Sequence, residues 1–105
     1  MMEDEMALQP DIVARVSLYP ADKGGRQKPI PPIRFGCPFF FEGEGFDCRL
    51  LLDQAGVSLE PGDTVEVPIK FVHPELVKPR LQSGARFTLW EAGDFADGEV
   101  LKVVA

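Results

Sequence analysis

One histidine, two cysteines, one tryptophan and one tyrosine occur in 105 residues. These scarcities exclude a good deal of chemistry. With His73 alone, a two-histidine metal site is impossible, and Cys37 and Cys48 form no CxxC pair, so no zinc ligand set exists and no metal is expected. The chain also lacks a GxxxxGK[ST] loop. Gly24-Gly25 runs into Arg26 and opens no helix, which removes the backbone cradle for nucleotide phosphates and leaves no cofactor expected. His73 stands before Pro74, where the chain is restricted to extended conformations, and no nucleophile can be assigned to it, so an enzyme is not expected. Residues 1–10 lack the basic start and long apolar run of a signal peptide or membrane span, and cytoplasmic residence without membrane association is the resulting expectation. Positive charge is scarce as well. Seventeen acidic residues stand against eleven basic ones, a net charge of −6 whose field repels nucleic acid. Part of that excess, Glu3, Asp4 and Glu5, falls in a segment read as a flexible tail, 1–10, so the domain at 11–105 is less acidic than the whole and has room for a local basic patch.

Ten glycines and ten prolines punctuate the chain, and the apolar fraction is an ordinary 45%. A chain of this length buries enough surface to fold as one domain without staples. No window shows apolar residues at helical spacing for eleven residues or more, whereas alternation with a period of two recurs, which predicts an all-β fold. Six strands are expected, over 11–19, 33–42, 46–53, 64–73, 84–91 and 99–104. In the first, Ile12, Ala14, Val16 and Leu18 share a face; in the second, Phe35, Cys37, Phe39 and Phe41 do; in the fourth, Val65, Val67, Ile69 and Phe71 do. Glu42-Gly43-Glu44-Gly45 reads as a hairpin turn, Pro61-Gly62-Asp63 opens the fourth strand, and 92–98 reads as a connection. Pro68 lacks a donor, which predicts a bulge or an outward edge position there. Cys37 and Cys48 fall on the two strands of one hairpin, as small buried thiols or as a cross-strand disulfide. Six antiparallel strands, each with one apolar face, leave exposed edges unless the sheet closes. Closure to a barrel removes them, although alternation alone does not separate a barrel from a sandwich.

Three signals stand in a fixed order. The loop Gly24-Gly25-Arg26 comes first, then Pro61-Gly62-Asp63 feeding a strand that ends at His73-Pro74, then the strand Gly84-Ala85-Arg86-Phe87-Thr88-Leu89. Together they resemble, over 11–104, the third domain of elongation factor Tu. The resemblance implies a closed six-stranded antiparallel β-barrel that holds no nucleotide, packs against a GTPase domain and helps grip the T-stem of aminoacyl-tRNA. Asp22-Lys23-Gly24-Gly25-Arg26-Gln27-Lys28-Pro29 looks like that family's glycine-glycine-arginine-histidine-threonine-proline segment, where the arginine and histidine approach the tRNA backbone. Arg26 matches, Gln27 replaces the histidine and Lys28 the threonine. Ile33-Arg34-Phe35 keeps the family's aromatics but not its arginine-proline-glutamine start. At Leu89-Trp90-Glu91-Ala92-Gly93-Asp94, Trp90 takes the place of one family arginine and Asp94 or Phe95 that of another. Losing two positive charges at the tRNA-facing end argues that tRNA binding is weakened or absent.

Two functions follow as expectations. The first is a non-catalytic module that binds another protein. Alternation with Phe87 and Leu89 places Trp90 outside, either as an interface anchor or covering a barrel end against Pro79 or Leu81, and Phe39-Phe40-Phe41 forces Phe40 outward beside it. The alternative is translation-associated binding of tRNA or another RNA through the basic 23–28 loop, with Lys23, Arg26, Gln27, Lys28 and Arg34 as contacts. Glu60, Glu66, Asp63 and Asp53 sit at turns and on wet strand faces, where carboxylates are solvated and carry no catalytic role.

Overall fold

A computed structural model describes residues 8–23 and 28–104. Six strands form: β1 (Ile12–Leu18), β2 (Arg34–Phe41), β3 (Glu44–Leu51), β4 (Thr64–Phe71), β5 (Arg86–Trp90) and β6 (Asp94–Val103). They pair in the cyclic order β1-β4-β3-β2-β5-β6, and β6 returns to β1, so the sheet is a closed antiparallel barrel with no free edge. The expected fold class is what forms. Alternation is the cause: Ile12, Ala14, Val16 and Leu18 of β1 point in and are buried, as do Val67, Ile69 and Phe71 of β4 and Cys48 and Leu50 of β3. At the centre, Phe39 stacks on Phe87 with ring centroids 4.2 Å apart and meets Phe71 edge-on at 4.9 Å. A bridge between Ile30 and Leu59, with N–H to C=O distances of 2.7 and 2.9 Å, seats both side chains in the core. Val77, at the end of the helical turn Pro74–Val77, and Leu81, just past the turn Lys78–Arg80, join the same core.

The β2–β3 turn is tighter than the sequence suggests. Phe41 pairs with Glu44, leaving only Glu42 and Gly43 in the turn, both at positive φ (52° and 82°), as the favoured two-residue hairpin requires. The hairpin sets Cys37 directly opposite Cys48, and both are free and buried. The Cys48 thiol is pushed well above its ordinary pKa, first by its hydrogen bond with Cys37 and then by burial, which keeps it protonated and unreactive.

Pro68 produces no bulge. The β1–β4 register runs unbroken through Val13↔Pro68. The Ile69 carbonyl accepts the Asp11 N–H at 2.8 Å, and the Phe71 N–H donates to the Asp11 carboxylate at 2.8 Å, so residues 69 and 71 turn their backbone groups toward β1. Pro68, one residue earlier, therefore turns its missing donor toward β3, just past Leu50↔Ile69, the last β3–β4 pair, where no ladder bond is formed. Asp11 is the one buried charged residue of the described chain, and Lys70 at 3.3 Å and Lys78 at 3.6 Å balance it.

The sixth strand departs most from expectation, beginning at Asp94 and not near Glu99. Two irregularities on β6 hide it. The register moves from Leu89↔Ala96 to Trp90↔Asp94, which leaves Phe95 extra, and from Val13↔Lys102 to Ala14↔Val100, which leaves Leu101 extra. Bulges break the period of two, and the consecutive residues Phe95 and Ala96 are both buried. Gly98 is required within the strand: a Cβ there would lie 2.3 Å from Cζ of Phe87 and 2.9 Å from the Arg15 carbonyl oxygen.

Candidate interaction surface

The outer face of the barrel carries the functional candidates. Phe39 and Phe41 are drawn inward, so Phe40 between them must face out. It stands opposite Thr88 of β5, and Trp90, two residues along β5, is its diagonal neighbour. The rings meet edge to face with centroids 6.5 Å apart and planes at 67°. Trp90 remains 41% exposed, whereas Leu81, offered by the sequence as a surface for it to cover, is buried in the core. On the other side the Phe40 ring lies over Gly45, where a Cβ would come within 3.1 Å of it. Glycine there lets the ring lie down close against the sheet. The two aromatic candidates therefore form one patch.

Beside this patch a groove opens. Only two register pairs, Phe39↔Leu89 and Phe40↔Thr88, join β2 to β5; beyond them the Glu42-Gly43 turn and the start of β5 diverge. The space between them, about 550 Å³, has Tyr19, Phe40 and Thr88 among its walls, with Arg86, Asp94 and Asp97 around them. The Tyr19 hydroxyl is pushed above its ordinary pKa of 10.0 by burial, then by Asp97, then by Asp94. Nearby charge is partly spoken for. Arg80 holds Glu44 at 2.6 Å and Glu42 at 3.0 Å, with its guanidinium 5.5 Å from the ring centres of both Phe41 and Phe46. Arg86 reaches Glu99 at 4.0 Å, and Arg15 reaches the same carboxylate at 3.2 Å. Asp94 and Asp97 have no ion-pair partner among the described residues.

Of the expected RNA contacts, only some fall on described residues. Lys23 closes the short turn Ala21–Lys23, Lys28 is exposed, and Arg26 and Gln27 lie outside the described residues. Arg34 donates from Nε to Asp53 at 3.0 Å with both partners about two-thirds shielded, so its charge is already matched. It also stands six residues along β2 from Phe40, about 20 Å away at the strand repeat. Sequence reasoning passed over Tyr19, Asp94 and Asp97. Asp97 stands on the outer face opposite Thr88 because the extra residue Phe95 shifts the alternation; a regular strand begun at Asp94 would have turned it inward.

No protein-family model matches the chain, and no curated protein matches it in sequence. No helix of the described chain is long and apolar enough to cross a membrane.

Proposed function

We propose that this barrel is a non-catalytic protein-interaction module and that the face carrying Phe40 and Trp90 is its docking surface. One observation carries the reading: two large aromatics from strands far apart in sequence, Trp90 exposed and Phe40 partly so, converge on the outside of a closed barrel beside an open groove. A tryptophan set against a second ring is the kind of rigid anchor around which interface energy concentrates. Because the sheet closes on itself, no whole strand is left open for strand addition, which favours a partner that reads outward side chains. The likeness of the turns to the third domain of elongation factor Tu points the same way, since that domain packs against a neighbouring domain.

The test is affinity capture from the source cell with identification by mass spectrometry, comparing the natural chain with Trp90→Ala, whose fold is checked by circular dichroism. A defined protein retained by the natural chain and lost with Trp90→Ala supports the reading. An identical retained set for both chains, or an empty one, sinks it. Salt-sensitive retention of tRNA that disappears with Arg26→Ala would replace it with RNA binding through the basic loop.

A further inference from the structure

We propose that the groove between β2 and β5 receives the cationic side chain of a basic segment of the partner protein, while an apolar residue of that segment packs on Phe40 and Trp90. This deepens the interaction reading and rests on it.

Three features of the groove select a cation over an anion. The first is charge: Asp94 and Asp97 have no basic partner among the described residues, whereas Arg86, which lines the groove with them, shares Glu99 with Arg15. Arg80, the other nearby cation, is bound by two carboxylates. An incoming anion would meet two carboxylates that no described cation pairs with, and an incoming ammonium or guanidinium would compensate them. The second is the wall. Tyr19 and Phe40 present aromatic surface to the groove, and aromatic faces attract cations but not anions. The third is size, because about 550 Å³ accepts a long side chain with its stem against the rings and its charged end at the carboxylates. Phe40 belongs to both the groove and the aromatic patch, so one peptide can engage both within a residue or two. Burial first, and then the charges of Asp97 and Asp94, oppose ionisation of the Tyr19 hydroxyl, and it is the field of those two carboxylates that such a cation would relieve.

Trp90 is the sole tryptophan, so its fluorescence reports occupancy directly. The probe is an end-capped pentapeptide alternating leucine and lysine, titrated into the intact chain at low and high salt; its counterpart carries glutamate in place of lysine. The lysine peptide is expected to bind and the glutamate peptide not to bind. The Asp94→Asn/Asp97→Asn double variant is expected to weaken the lysine peptide about five- to tenfold, as suits two partly exposed charge contacts, with a similar loss at high salt. Arg86→Ala is expected to strengthen it, because a like charge leaves the groove; an anion-binding groove would weaken instead. No response to the lysine peptide, or unchanged affinity in the double variant, overturns the cation assignment. Equal binding of both peptides also overturns it, yet leaves the aromatic docking face standing. The docking face itself fails on the capture experiment, where cation preference plays no part.

Discussion

Strand β2 has two neighbours and treats them very differently. With β3 it forms eight register pairs across a two-residue turn; with β5 it forms two. The hairpin is made of residues close in sequence, so its ladder costs little chain entropy to close. The β2–β5 seam joins residue 40 to residue 88, and bringing them together closes a long stretch of chain that includes β3 and β4. What holds the seam is mainly side chain against side chain: Phe39 on Phe87 inside, Phe40 on Trp90 outside. A seam held by rings with little backbone ladder splays where the rings end, and the groove lies there. The part of the barrel with least regular hydrogen bonding is thus the part with room for a partner.

Several experiments would break or sharpen this contrast. The largest effect belongs to Phe39→Ala, which removes the ring shared by the stack with Phe87 and the edge contact with Phe71; a loss of about 3–5 kcal/mol is expected in urea denaturation. A loss under 1 kcal/mol would show that the inner rings do not hold the seam. Next comes Gly98→Ala, expected to cost about 1–3 kcal/mol because the new Cβ overlaps the Phe87 ring. Adding Phe87→Leu to that variant should return only part of the loss, since the Arg15 carbonyl still crowds the site. A fully additive double variant would deny the coupling. Trp90→Ala should cost only about 1 kcal/mol, the size of a half-exposed aromatic pair, and native-state hydrogen exchange should then quicken at β5 amides while those of the β2–β3 hairpin hold. Equal quickening on both sides of β2 would erase the distinction between seam and hairpin.

The smallest effect is electrostatic. Tyr19 is the only tyrosine, so its ionisation can be followed by absorbance as a single curve whose midpoint should lie above 10.0 and fall back toward it in Asp97→Asn. The raised value means that the folded state favours the neutral phenol. The associated stability is full below the unfolded value of 10.0 and is lost as pH rises through the folded one, and the exposure of the ring keeps this contribution small. A midpoint unmoved by Asp97→Asn would detach that carboxylate from the groove.

Much of the barrel is legible in the chain because alternation and turn chemistry are local. Ile12 to Leu18 announce β1 two residues at a time, and Glu42-Gly43 announces its hairpin through a glycine that tolerates positive φ. Strand β6 was legible only in its second half. Asp94, Asp97 and Gly98 carry loop chemistry, and the bulge at Phe95 puts two neighbouring side chains indoors, so the period of two is lost where the strand starts. Of the candidate surface, the outward placement of Phe40 and Trp90 was readable from the parity of their strands. Their contact was not, nor was the tie between Arg34 and Asp53, because each joins residues on different elements.

Read as a string, the chain commits to six strands, to their inward residues and to the outward parity of two aromatics, since each follows from backbone geometry over a few neighbouring positions. Closure in space alone brings β5 beside β2, slips the register at Phe95 and sets Tyr19, Asp94 and Asp97 around one groove. Those outcomes turn on which distant segments pair and in what register, and the burial of whole strands decides that where no local pattern can.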